Sequence, residues 1–489
     1  MNPLLLTDGY KVDHRRQYPD GTTIVYSNWT PRKSRIETVD EVIFFGLQYF
    51  IKKYIIHDFE EEFFKKPKEE VIKKYSRRIN NYLGENLVGT KHIEDLHDLG
   101  YIPMVFKALP EGASVPLRVP MFTMYNTIPE FFWLTNYFET LLSAVVWLPC
   151  NSATIAKEYR KVLDKYAAET SSVPEFVDWQ AHDFSMRGMG GIEAALTSAA
   201  GHLLSFTGSD TIPAIDFLEE YYNANSDQEL VAGSVAATEH SVMCMGTTEG
   251  EYETFKRLIT EVYPKGIVSI VSDTWDLWKV LTDYLPRLKE EIVSREGKVV
   301  IRPDSGDPVD IICGNPNGKT EQEKKGVIEL LWDVFGGTTN AKGFKELVPQ
   351  IGAIYGDSIT VARATQICER LKEKGFASTN VVLGIGSFTY QYNTRDTFGF
   401  AMKATYGEVN GEGRAIFKDP ITDDGTKKSA KGLMKIDLID GKYHLTDNVS
   451  WEEEKQGELK EVFRDGKLLV DQSLSEIRTR VKSEVSVEA

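Results

Sequence analysis

Seven short apolar segments, each closed by a polar cluster, recur at intervals of roughly thirty residues between Ala181 and Ser387, the length of one strand-plus-helix unit. Their endings are Ala181-His182-Asp183-Phe184, Thr207-Gly208-Ser209-Asp210, Thr238-Glu239-His240, Val271-Ser272-Asp273, Arg302-Pro303-Asp304-Ser305-Gly306, Tyr355-Gly356-Asp357-Ser358 and Gly384-Ile385-Gly386-Ser387. Helical periodicity separates them, most clearly over 252–263, 275–292 and 359–375. Apolar strands joined by helices build a parallel sheet buried on both faces. In closed barrels of this kind the site lies where strand C-termini feed their loops. Any one ending reads as an ordinary helix N-cap. Seven together describe a polar-lined mouth.

Within that mouth, Ser234 to Ser241 is a run of small and apolar residues ending in Glu239, His240 and Ser241. Alone, a histidine beside a glutamate is more often a satisfied structural pair than a catalyst. Arg302 and Asp304 stand two apart, so alternation along a strand turns both to one side. They read either as a structural ion pair or as a grip on phosphate with one member and on a sugar hydroxyl or hydrated Mg2+ with the other. The glycine-rich ends at Gly356-Asp357-Ser358 and Gly384 to Ser387 offer backbone N–H groups to phosphate, although neither is a Walker loop or a dinucleotide fingerprint.

The flanks are organised differently. Residues 22–29 read as a strand, 42–56 and 63–82 as helices, 102–124 as strands, and 131–166 as helix rich in core aromatics, with no ligand claim for Trp133 or Trp147. Gly314 to Lys325 reads as an insertion loop. After residue 395 hairpin signals return at Gly411, Asp440-Gly441 and Asp465-Gly466. A chain of 489 residues exceeds one small core. The division expected is a β-rich and helical domain of 1–170 with 396–489, and a barrel of 171–395.

The formal charge, 57 − 73 = −16, argues against nucleic acid or anionic membrane as partner. Four separated cysteines, in no C-x-x-C pair, argue against a structural zinc site or disulfide scaffold and fit a reducing cytoplasm. No apolar run suits a signal peptide or a membrane span.

Leu5 to Val12, Gln17-Tyr18-Pro19, His182-Asp183-Phe184 with Arg187-Gly188, Ala237 to Ser241, Val271-Ser272-Asp273, Ile301 to Gly306 and Phe417-Lys418-Asp419-Pro420 resemble the nicotinamide phosphoribosyltransferase family, in order and over almost the whole length. The resemblance implies a type II phosphoribosyltransferase architecture: an irregular seven-stranded α/β barrel with a second β-rich domain built from both chain ends. It implies a cytoplasmic homodimer with shared active sites, making nicotinamide mononucleotide and pyrophosphate from nicotinamide and phosphoribosyl pyrophosphate in NAD salvage.

By that resemblance nicotinamide stacks between Phe184 and the partner protomer's Tyr10, near Arg302, and Asp210 accepts from the carboxamide. Arg187, Arg302, Gly356, Asp357, Gly386, Ser387, Arg32, Arg395, Lys403, Lys418 and Lys427 surround phosphate or pyrophosphate. Ser272, Asp276 and Asp304 lie near ribose or Mg2+, a cofactor held mainly through substrate, with Asp276 and Asp304 the protein-side candidates. His240 matches the family's phosphorylated histidine, ATP being the coupling co-substrate, with Glu239 placed to orient the imidazole and Asp304 in the catalytic set. Ser387, Phe388, Ala401 and Thr379 depart from the family pattern and bear on phosphate-loop geometry. The alternatives are nicotinate phosphoribosyltransferase, which Asp210 disfavours, and a non-catalytic interaction protein on the same scaffold, which the intact set of His240, Arg302, Asp304 and Asp210 disfavours. An aldolase-like barrel would want a Schiff-base lysine at a strand end, and the seven endings supply none.

Overall fold

The computed structural model describes residues 1–417 and 430–485. Among them the chain forms two compact units, one of Met1–Asn151, Leu218–Ala224 and Asn393–Glu484, the other of Ser152–Phe217 and Asn225–Tyr392.

The second unit is the barrel. Its strands are β1 (Ala181–Asp183), β2 (Gly208–Ser209), β3 (Ala236–Ala237), β4 (Gly266–Val271), β5 (Gly297–Arg302), β6 (Ile351–Tyr355) and β7 (Val381–Ile385). They lie in the order β2-β1-β7-β6-β5-β4-β3, and every pair is parallel. The two edges meet where Gly208 pairs with Gly233, through Ser209 N–H to Gly233 O (3.1 Å) and Gly233 N–H to Thr207 O (2.9 Å). That seam closes the curl. Each of the seven endings lies at the C-terminal end of one strand, and at β1 and β2 it supplies the strand itself; a parallel order points all seven the same way. Val299, Ile301, Ile351, Val381, Leu383 and Ile385 are fully or almost fully buried, as expected of strands covered on both faces.

The first unit centres on an antiparallel seven-stranded sheet in the order 412–415, 401–409, 22–30, 122–126, 104–108, 460–464, 467–468. Three strands from the N-terminal part of the chain lie at its centre with two from the C-terminal part on either side, so neither end folds this sheet alone. Trp29 lies stacked between Phe122 and Phe400, at 6.2 and 5.4 Å between ring centroids. A separate hairpin, Leu433–Ile439 with Lys442–Val449, turns at Asp440 (φ 50°) and Gly441 (φ 79°). Two consecutive positive φ values match the right-handed twist of the flanking strands, and an Asp-Gly pair adopts them at least cost.

Three local expectations differ from the structure. Residues Glu41–Ile43 form a strand against Ser114–Pro116, and helix begins only at Leu47. Helix over 63–82 is broken at Pro67 and resumes at Lys68, because the Pro67 ring cannot continue the turn before it. The expected loop over 314–325 enters a helix at Glu321, started by a reciprocal cap between Thr320 and Glu323. No helix among the described residues is long and apolar enough to cross a membrane.

Candidate functional site

Seven residues at the barrel mouth form one continuous line of contacts. Asp210, after β2, accepts from His182 Nε2 at 2.8 Å and from Ser234 Oγ at 2.6 Å. The His182 ring packs on Phe184 at 4.7 Å. Over that phenyl ring lies the Arg302 guanidinium, 5.2 Å from the centroid. Arg302 also reaches Asp304 through Nε (3.3 Å) and Nη2 (3.2 Å). The Asp304 N–H donates to Asp273 Oδ2 at 2.8 Å, and Asp273 Oδ1 faces His240 Nε2 at 3.6 Å. The line therefore runs from the carboxylate of β2 to the imidazole after β3 by way of β1, β5 and β4.

Two glycines make this spacing possible. A Cβ on Gly384 would come 2.8 Å from the Phe184 ring, and one on Gly356 would come 2.0 Å from Asp304 Oδ1. The glycine ends of β6 and β7 thus admit the phenyl ring and the carboxylate, a packing reason that the phosphate reading did not supply.

Electrostatically the two acids at the ends of the line differ. For Asp210, burial works to raise the carboxyl, but hydrogen bonds from His182 and Ser234, with Arg302 nearby, hold it below the usual carboxylate range. It is an anion with one oxygen occupied; its side chain remains 45% exposed. Asp273 is 6% exposed, with Oδ2 taking Asp304 N, Ser305 N and Ser305 Oγ while buried Oδ1 has no hydrogen bond.

One expectation is corrected. Glu239 does not orient His240: its carboxylate accepts from Ser241 Oγ, and Asp273 is the acid that faces the ring. His240 opens a helix for which Glu239 is the extended N-cap (φ −114°, ψ 170°), and neighbours i and i+1 project in different directions. Ser272 is buried at the end of β4, its Oγ donating to Ile270 O and its N–H to Arg302 O, so it ties β4 to β5. Asp276 caps the next helix by accepting from Lys279 N. Asp357 accepts from Ser358 Oγ, Arg187 is exposed after β1, and Gly386 with Ser387 opens the short helix after β7.

The remaining expected residues belong to the first unit. Tyr10 and Arg395 line a cavity of ≈ 260 Å³ with Asp8, Glu139, Thr140, Ser143, Ala144 and Trp147, so Trp147 borders open space rather than closed core. Arg32 Nε donates to Gly399 O, and Lys403 is exposed on the strand 401–409. Lys418 and Lys427 lie outside the described residues. Sequence reasoning gave no role to His182, Ser234 or Asp273. All three stood in or beside the seven endings, but nothing in their spacing says which acid meets which imidazole.

Of the two acids expected near Mg2+, Asp276 uses Oδ1 for its helix cap, and Asp304 turns both carboxylate oxygens to Arg302.

A barrel with this mouth belongs to the phosphoribosyltransferase class, and the nicotinate phosphoribosyltransferase family model matches residues 179–467. The nicotinamide phosphoribosyltransferase N-terminal domain model matches residues 2–98. A nicotinamide phosphoribosyltransferase of Acinetobacter baylyi is 53% identical over 99% of this chain and 98% of its own, and one of Mycoplasma pneumoniae is 37% identical over 88% and 94%. The chain belongs to the nicotinamide phosphoribosyltransferase family. The nicotinate-nucleotide pyrophosphorylase structure from Pyrococcus furiosus shares the fold, with a TM-score of 0.58 at 12% identity, over 99% of this chain and 96% of that one.

Proposed function

We propose that the chain joins nicotinamide to the ribosyl 5-phosphate of phosphoribosyl pyrophosphate, releasing pyrophosphate, and that ATP drives the reaction through a phosphohistidine at His240. The carrying observation is Asp210, an anion fixed by Ser234 and by His182, whose ring packs on Phe184. Its free oxygen suits a carboxamide N–H and repels a carboxylate, which favours nicotinamide over nicotinate.

Phe184 offers one aromatic face to the pyridine, and a homodimer partner's Tyr10 would offer the other; such faces suit a ring that becomes a pyridinium cation. The pyridine nitrogen forms its bond to C1′ as the C1′–O bond to pyrophosphate breaks, the electron pair leaving with pyrophosphate. This transition state develops charge on the departing oxygens, and Arg302 and Arg187 are the barrel residues to meet it. Bound Mg2+, near Asp304 and Asp276, would neutralise pyrophosphate charge.

In the ATP half-reaction a ring nitrogen of His240 attacks the γ-phosphorus and ADP leaves. With Nε2 turned to Asp273, Nδ1 is the nitrogen left to take the phosphoryl group, and the proton stays on Nε2 beside the carboxylate. The test supplies purified protein with nicotinamide, phosphoribosyl pyrophosphate and Mg2+, with and without ATP. Wild type should show an ATP-dependent gain that His240→Ala lacks. Equal stimulation of both proteins removes His240 from the mechanism, and no product from wild type sinks the reading.

A further inference from the structure

The carboxylate of the most buried acid of the mouth, Asp183, lies outside the line of seven residues described above, yet it holds the two residues that meet the pyridine. It is fully buried and has four hydrogen-bond donors. Its Oδ1 accepts from Ser185 N (3.0 Å) and Ser185 Oγ (2.6 Å). Its Oδ2 accepts from Ser209 Oγ (2.8 Å) and Thr211 Oγ1 (2.9 Å). Ser185 follows Phe184, and Ser209 and Thr211 flank Asp210. The backbone continues the clamp, since Asp183 O accepts from Asp210 N at 2.9 Å.

We propose that Asp183 is a positioning residue that fixes the distance between the aromatic face of Phe184 and the carboxylate of Asp210, and so sets recognition of the pyridine carboxamide. One carboxylate spans two loops with all four of its donors supplied by residues adjacent to the pair it spaces. A buried anion with its lone pairs filled is costly to shift, so the two loops move as one body. The proposal rests on the nicotinamide reading of Phe184 and Asp210. It adds the residue that makes their spacing rigid, without contact to substrate.

Two variants test it. Asp183→Asn keeps the shape but turns one acceptor into a donor. Ser209→Ala with Thr211→Val empties the Oδ2 side alone and keeps the acid, which guards against a first variant that does not fold. Both should raise KM for nicotinamide about tenfold or more, leave KM for phosphoribosyl pyrophosphate within about twofold, and narrow the preference over nicotinate, because small misplacements of a bound ring are strongly felt. Hydrogen exchange in the same proteins should quicken at 184–186 and 209–212 and not across β4 and β5. Unchanged KM values with unchanged exchange overturn the proposal. So does an equal rise in both KM values with a general loss of Tm, the mark of a merely structural role. If wild type makes no product from nicotinamide, the functional reading fails separately, and the exchange pattern still decides whether Asp183 couples the loops.

Discussion

The barrel mouth holds two histidine–carboxylate pairs that differ in one respect. His182 and Asp210 meet at 2.8 Å, with Ser234 completing the acid's oxygen. His240 and Asp273 stand 3.6 Å apart, with Oδ1 unpartnered and the imidazole half exposed. The first pair is already satisfied, so it can serve as a rigid template against which a ligand is measured. The second has its hydrogen-bonding capacity in reserve, as a group that changes charge during turnover requires. On the proposed function, the tight pair specifies and the loose pair reacts.

The comparison is broken most completely at the loose pair. His240→Ala should lower phosphoenzyme formation at least roughly 1,000-fold, read by labelling with γ-labelled ATP, because the nucleophile itself is gone. Next comes the tight pair. Asp210→Asn should cost roughly 100-fold in kcat/KM for nicotinamide, the scale of a lost charged hydrogen bond, while nicotinate turnover rises. Loss of nicotinamide turnover with no gain for nicotinate would count against a discriminating role. Asp273→Asn should slow phosphoenzyme formation by about tenfold and spare KM for nicotinamide, since it removes an orienting partner rather than a reacting atom.

A histidine with no acid in contact supplies the smallest and most general contrast. His92 is buried and neither ring nitrogen is hydrogen-bonded. Burial first, and then the Arg15 charge, push it from the ordinary 6.5 down to about 3. The folded chain keeps it neutral while the unfolded chain takes a proton below 6.5, so its contribution is fully present above 6.5 and is lost as pH falls toward 3. The slope reaches at most roughly 1.4 kcal/mol per pH unit. His92→Gln should flatten that part of the stability curve, measured by denaturant unfolding at stepped pH. An unaltered slope would show that His92 is protonated in the folded chain.

Much of the barrel was legible because a buried parallel strand is a short apolar run, and its end is where polarity must return. Ala181 to Phe184, Thr207 to Asp210 and Arg302 to Gly306 carried that transition openly. The pairing of acids with imidazoles was not legible. Glu239 adjoins His240 in the chain, whereas Asp273 reaches it from the next strand of the sheet, and sequence distance conceals that closeness. The hairpin of Gly337–Thr339 with Lys345–Leu347 also escaped, since strands of three residues leave no alternation to read. The β-rich unit was legible at its turns, where Asp440-Gly441 names its own geometry, but not in its strand order, which interleaves residues some four hundred positions apart, as when Thr22 meets Val409.

The Gly208–Gly233 seam has a consequence of its own. Both strands beside it are only two residues long, so this is the stretch of wall with the fewest rungs, and local opening begins where rungs are fewest. Asp210 and Ser234 sit on opposite lips of it, joined by a single hydroxyl. A guest held by one lip and pressed against the other acts as a stitch. Saturating the mouth should therefore toughen the whole barrel, by mass action alone and with no change of shape.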